Sequence, residues 1–185
     1  MGNENAERYR KVAAAFTDRV RAVPADAWDN PAPCEGWVAR DVVRHLVEWL
    51  PHFFVERFDL AEPAVPDVDA DPLAAWLAID TMFQAALDDP EIAGRERDTP
   101  MGPDRTFADV FDMIGTSDVL MHTWDLARAT GLDDRLDPDE VHRLLVSMEP
   151  MDEVLRSSGH YGPRVTVPDD ADEQTKLMAF VGRQP

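Results

Sequence analysis

Cysteine and basic side chains are scarce in this chain of 185 residues, and each scarcity excludes a class of function. A single cysteine cannot build a disulfide framework or a cysteine-rich zinc knuckle. Lysine and arginine number 18 against 37 aspartates and glutamates, so the formal net charge is −19. We therefore expect neither nucleic acid nor a membrane surface as a partner, because both are anionic. Neither a signal peptide nor an apolar run of about 18 residues is present, so we expect no membrane span and a cytoplasmic location.

Apolar residues are plentiful, and their spacing is helical. They make up 44% of the chain, which is too many for a disordered acidic tail. They recur every three or four positions, the spacing of one face of a helix. This pattern predicts four main helices: one ending at Pro24, one beginning near Val38 with a kink or an end just before Pro51, one from Pro72 to before Pro90, and one over 106–130 that Gly131 stops.

The remaining segments are predicted to decorate these four helices. Asp137-Pro138 opens a fifth amphipathic helix, and 172–181 is expected to form another. Residues 89–105 are polar and are predicted to be a loop, while 164–167 is the one β-like run. We predict an all-α fold, a single domain over residues 1–185, with a C-terminal extension over about 132–185 packed on a four-helix bundle.

The fourth helix carries ionisable side chains on its apolar face. At about 100° per residue, Asp118, His122 and Asp125 fall within about 60° of one another, among the apolar residues of that face. An unpaired buried carboxylate costs several kcal/mol, so these groups must be paired, neutralised or bound to a metal.

A divalent metal site is one interpretation of this pattern. Asp118 and His122 are four positions apart, so one ion can bridge their side chains. His45, at the border of the second helix's apolar face, is the candidate third ligand, and Trp49 beside it is expected to wall a pocket. Asp125 is expected to accept a hydrogen bond rather than to bind the ion. Three protein ligands leave a position open, which is the pattern of catalytic zinc.

Simpler interpretations stay open. A buried hydrogen bond between Asp118 and His122 can hold helices together without a metal. We expect Cys34 to be structural, because it lies before a helical rise of about 10 Å that leads to His45. Three other histidines are expected to lie outside the site or at its margin: His52, His142 and His160. No dinucleotide, P-loop, nucleophile-elbow or zinc-protease motif occurs.

Two segments resemble a known superfamily. Residues 31–47, PAPCEGWVARDVVRHLV, and 118–131, DVLMHTWDLARATG, are similar to the motifs of the DinB-like superfamily, in the branch related to the N-terminal metal-binding domain of mycothiol-dependent maleylpyruvate isomerase. The ending after Tyr161 is similar to that of small single-domain members. The resemblance implies an up-and-down four-helix bundle whose metal is bound at His45, Asp118 and His122. Many relatives have histidine or glutamate at position 118.

The resemblance also implies a chemistry. Relatives include S-transferases that use mycothiol or bacillithiol, with a metal that lowers the pKa of the thiol. We expect zinc first, with nickel, iron and manganese open, and a thiol cosubstrate with a small-molecule substrate as partners; a homodimer through helix faces is compatible with the superfamily. The isomerase carries a further C-terminal domain, so we do not expect maleylpyruvate isomerisation. Two alternatives remain: a non-catalytic metal or small-ligand binding module, and a metal-free helical interaction protein.

Overall fold

The computed structural model describes residues 4–157, 159 and 161–185, and it is mainly helical. Its elements in chain order are α1 (Glu4–Ala22), α2 (Ala39–Phe54), α3 (Pro72–Asp88), α4 (Pro90–Ala93), β1 (Glu96–Thr99), β2 (Gly102–Thr106), α5 (Phe107–Val110), a π-helical segment (Phe111–Thr116), α6 (Ser117–Thr130), α7 (Pro138–Met148), a 3₁₀ turn (Glu149–Met151), α8 (Asp152–Ser157) and α9 (Glu173–Phe180).

Four of these helices form the bundle. Helices α1 and α2 each pack against both α3 and α6, which closes a ring around one core. Fully buried aromatic rings fill the core, and the rings of Phe83 and Phe111 lie 4.6 Å apart between their centroids. On the flank, α7 packs against α9. The prediction of an all-α, DinB-like bundle is confirmed.

Most helix ends lie where local chemistry predicts them. Asp71 accepts a hydrogen bond from the Ala74 N–H at 2.9 Å and so caps α3. Asp137 caps α7 in the same way, and Gly131 ends α6 with a φ of 70°. At the start of α2, Val38 has no side-chain oxygen to act as a cap. Its own N–H still donates to Asp41 Oδ2 at 3.0 Å, so half of a capping box is present.

Three local predictions are corrected. Of the two alternatives predicted at Pro51, the helix end does not occur: α2 continues to Phe54, since fully buried apolar side chains on both sides of the proline hold it in the core. Residues 89–105 are not a plain loop, because they include α4 and most of an antiparallel hairpin in which Arg97 pairs with Arg105. These strands carry no buried side chain, so no alternation of apolar residues marks them. The β-like run at 164–167, all of it described, forms no strand.

The predicted fourth helix contains a change of helical pitch. Its residues run continuously from Phe107 to Thr130, but Phe111–Thr116 are π-helical. A wider turn shifts the faces on either side of it, so a constant 100° per residue does not hold across the segment. Ile114, which a constant 100° repeat places on the apolar face about 40° from Asp118, is only half-buried, while every residue from 119 to 127 is buried. Helix α6 is enclosed because α1 and α2 both pack against it.

Buried and half-buried ion pairs join the π-helical segment to the neighbouring helices. Arg8 of α1 is buried, and its guanidinium lies 2.7 Å from Asp112 Oδ1 in the π-helical segment and 2.5 Å from Glu140 Oε2 on α7. A single cation therefore joins three elements.

Among the described residues, no helix combines the length and the apolar character needed to cross a bilayer.

Candidate metal centre

The structure brings the three predicted ligands together. His45 comes from the middle of α2, and Asp118 and His122 come from the first turns of α6. His45 Nε2 lies 3.2 Å from Asp118 Oδ2, and His122 Nε2 lies 3.5 Å from Asp118 Oδ1. One donor atom from each of the three residues lies within 4.8 Å of the other two.

These distances and this chemistry fit a divalent ion. Two ligand atoms about 2.1 Å from a tetrahedral ion lie about 3.4 Å from each other, close to the two separations that involve Asp118. Two imidazole nitrogens and one carboxylate oxygen form a donor set that suits zinc and the neighbouring transition metals. The residues could therefore hold such an ion without a large rearrangement of the backbone.

The cluster is closed on one side and open on the other. The His122 side chain is 6% exposed, that of Asp118 is 18% exposed, and that of His45 is 26% exposed. Two tryptophans border the open side. The Trp37 ring stacks on the His122 ring with 5.8 Å between ring centroids, and its centroid lies 5.0 Å from that of His45. The Trp49 ring stacks on the His45 ring with 5.8 Å between centroids. The indole rings of Trp37 and Trp49 therefore lie against the histidines of the cluster.

Asp125 lies behind His122, on the buried side. Its Oδ2 is 2.9 Å from His122 Nδ1, so the carboxylate accepts a hydrogen bond from that nitrogen and leaves Nε2 facing Asp118. Arg183 donates from Nε to Oδ1 at 3.0 Å and from a terminal nitrogen to Oδ2 at 2.9 Å. Burial alone would raise the pKa of Asp125, but the hydrogen bonds from His122 and Arg183 lower it to about 2. The carboxylate is therefore ionised at neutral pH.

The same carboxylates govern the charge of His122. Burial would lower its pKa, but the charge of Asp118 and the hydrogen bond to Asp125 outweigh this effect and raise the pKa to about 10. Without a metal, the imidazole of His122 is therefore protonated at neutral pH. A metal ion would take the place of the proton on Nε2.

Cys34 lies at the site, contrary to the sequence-based expectation. Its Sγ is 3.4 Å from Asp125 Oδ2, and Cys34, His122 and Asp125 form a second group of possible ligands among the described residues. The helical rise was a poor guide because the loop before α2 turns back: the Ala32 N–H donates to the Trp37 carbonyl at 2.8 Å. Both oxygens of Asp125 already accept hydrogen bonds from Arg183, so the group around His45 is the better metal site.

Other side chains weighed as candidates lie elsewhere. His142 pairs with Glu173 at 2.9 Å on the surface. His52 is exposed and lines a shallow depression with His45 and Trp49. His160 lies outside the described residues.

Sequence reasoning missed three residues of the site. Trp37 lies within the motif at 31–47 but was given no role there, and Arg183 was assigned to no site. Tyr161 was also missed: burial, and then the charge of Asp118, raise its pKa to about 12, so its phenol keeps its proton. No periodicity points to these residues, since each lies outside a long helix. The Gly-Arg pair after the last amphipathic helix was the available signal for Arg183, because a glycine there predicts a chain reversal.

Comparison with known proteins places this chain in a family. The model of the mycothiol maleylpyruvate isomerase N-terminal domain matches residues 9–127. Two uncharacterised proteins of Mycobacterium tuberculosis, one from strain CDC 1551 / Oshkosh and one from strain ATCC 25618 / H37Rv, are each 30% identical over an alignment of 185 positions that covers 95% of this chain and 95% of the relative. No solved structure matches this chain. The matched region includes His45, Asp118 and His122, and the chain belongs to the family of the mycothiol maleylpyruvate isomerase N-terminal domain.

Proposed function

We propose that this protein is a metal-dependent S-transferase that uses a low-molecular-weight thiol of the mycothiol type. In this proposal His45, Asp118 and His122 hold a divalent ion, with zinc as the first choice. The observation that carries the proposal is the convergence of three metal-ligating side chains from two helices on one point, closed behind by Asp125 and open between two tryptophans. Membership of a mycothiol-related family supports the choice of thiol.

The chain's own residues have distinct tasks in this proposal. A bound ion supplies positive charge that lowers the pKa of a thiol at the site and so favours its nucleophilic form. Asp125 keeps the proton of His122 on Nδ1, which leaves Nε2 free to bind. Trp37 and Trp49 limit the approach of water and present flat apolar surfaces to an incoming molecule. The small-molecule electrophile would enter over the depression beside His45 and Trp49.

Metal analysis of protein purified without a His-tag or chelator is the first test. We expect about one transition-metal ion per chain in the wild type, and none in His45→Ala or His122→Ala. His142→Ala is the matched control, because His142 lies on the surface paired with Glu173. A wild type that takes up no metal even after reconstitution with zinc would refute the proposal.

Cobalt substitution then tests the use of a thiol. If the open position accepts a thiolate, adding a low-molecular-weight thiol to the cobalt form should produce a sulfur-to-cobalt charge-transfer band. If the absorption spectrum of the cobalt form does not change when thiols are added, the protein is instead a binding module without transfer activity.

A metal-free role is the second candidate, and one observation favours it. His122 with its raised pKa lies beside Asp118, so the two can form an ion pair that stabilises the bundle without any ion. This alternative predicts that neither chelator nor added zinc changes the unfolding temperature. A bound metal predicts a rise with added zinc, because a ligand that binds only the folded state stabilises it.

A further inference from the structure

Arg183 reaches the metal centre from the far end of the chain. It follows α9 and lies outside the region that the family model matches, residues 9–127. Its guanidinium contacts both oxygens of Asp125, at 3.0 and 2.9 Å, in a bidentate pair. Asp125 is fully buried, and its Oδ2 is 2.9 Å from His122 Nδ1. A hydrogen-bonded chain therefore runs from Arg183 through Asp125 to His122.

The backbone after α9 explains why the arginine points inward. The Arg183 N–H donates to the Met178 carbonyl at 2.9 Å and the Gly182 N–H donates to the Ala179 carbonyl at 3.2 Å. These are the two bonds of a Schellman motif, in which the residue after the helix adopts the left-handed conformation. Gly182 has a φ of 88° and packs directly on the backbone of Gly162. The chain reversal therefore fixes where the Arg183 side chain begins.

An arginine is suited to this position. Asp125 offers several lone pairs in a place without solvent, and a buried carboxylate without a cation is costly. The planar guanidinium satisfies one lone pair on each oxygen and so restricts rotation of the carboxylate. With the carboxylate fixed, the hydrogen bond to Nδ1 fixes the plane of the His122 ring.

We propose that Arg183 is a positioning residue of the metal centre. By clamping Asp125, it holds the His122 imidazole with Nε2 directed toward Asp118 and His45, and the C-terminal segment is thereby part of the site rather than a separate decoration. This inference rests on the proposed function, because it concerns the affinity of that site for its metal. Outer partners of this kind typically change metal affinity by about 10–100-fold.

A role in tethering alone would give a different pattern of effects. Arg156 also tethers the C-terminal segment, since it donates to the carbonyls of Gly162 and Phe180, but it is not bonded to Asp125. Loss of Arg156 should loosen the segment and leave the carboxylate clamp in place. Loss of Arg183 removes the clamp itself. Metal affinity therefore separates positioning from tethering.

The test measures zinc affinity by competition with a chromophoric chelator, together with the absorption spectrum of the cobalt form. We expect Arg183→Gln to weaken zinc binding by about 10–100-fold and to alter the cobalt spectrum. Arg183→Lys keeps the positive charge but cannot make the bidentate pair with Asp125. Its zinc affinity should therefore lie between those of Arg183→Gln and the wild type. Arg156→Gln, and Gln184→Ala at the exposed neighbouring position, should bind zinc within about threefold of the wild type.

Several outcomes would overturn the inference. Wild-type affinity and an unchanged cobalt spectrum in Arg183→Gln would do so, as would an equal loss in Arg156→Gln. If Arg183→Gln does not fold, Arg183→Lys carries the test, and wild-type affinity and spectrum in that variant would overturn the proposed clamp. A wild type that binds no zinc refutes the proposed function itself. By contrast, a wild type that binds zinc beside an unaffected Arg183→Gln refutes only the role of Arg183.

Discussion

Replacing Gly182 with alanine tests how closely the C-terminal segment packs on itself. Gly182 has a φ of 88°, and a Cβ built there would lie 2.9 Å from the Gly162 Cα, 3.0 Å from its carbonyl carbon and 3.2 Å from its nitrogen. All three are backbone atoms, which cannot move away as a flexible side chain can. Gly131 is a matched control: its φ is 70°, and a Cβ there would meet nothing within 4 Å.

The two substitutions should differ by the cost of overlap. In Gly131→Ala only the left-handed backbone is penalised, by roughly 1 kcal/mol. Gly182→Ala carries the same penalty and adds about 1–3 kcal/mol for an overpacked contact. For a domain of this length, 1 kcal/mol lowers the unfolding temperature by about 2–4 °C. We therefore expect a loss of about 2–4 °C in Gly131→Ala and about 4–16 °C in Gly182→Ala.

Thermal unfolding followed by circular dichroism would measure this difference, with chelator present so that bound metal does not contribute. Gly182→Ala should also bind zinc more weakly than the wild type, because the segment it displaces carries Arg183. If Gly182→Ala unfolds at or above the temperature of Gly131→Ala, the close backbone contact does not exist in solution. The assigned route of Arg183 into the site would then be wrong.

Two further predictions concern charge. Arg8→Met should lower the free energy of unfolding by about 3–5 kcal/mol in urea titrations, because it leaves Asp112 and Glu140 without their buried cation; a loss below about 1 kcal/mol would contradict this. The backbone N–H of Thr175 lowers the pKa of the Asp172 carboxylate below its ordinary value of 3.8, so this group stabilises the fold above that pH and loses its effect as the pH falls. The stability advantage of wild type over Asp172→Asn should therefore shrink below about pH 4, and a constant difference would refute the assignment.

Local features of the sequence were enough to predict the main helices. The spacing of apolar residues located them, and Pro72, Asp137 and Gly131 marked ends that the structure confirms. The helical repeat also placed Asp118 and His122 on one face, because residues four apart on a helix are neighbours whatever surrounds them. These predictions depend only on backbone geometry within about one helical turn.

The hairpin and the π-helical segment needed the folded chain. Polar strands have no periodic signal, and the two strands pair as a hairpin between α4 and α5, which contact each other. The π-helical turn changes the phase of a helix that the sequence presents as uniform. An apolar face calculated from one repeat was therefore only partly right.

The sequence by itself determined which helices form and which side chains on α6 share a face. It could nominate His45 as a third ligand, but its 3.2 Å distance to Asp118, 73 positions away, depends on how α2 and α6 pack. The tertiary structure alone decided that Cys34 turns back beside Asp125 and that Arg183 reaches the same carboxylate. The physical reason is that contacts between distant segments depend on the packing of the whole core and on chain reversals at a few residues, neither of which leaves a periodic trace in the sequence.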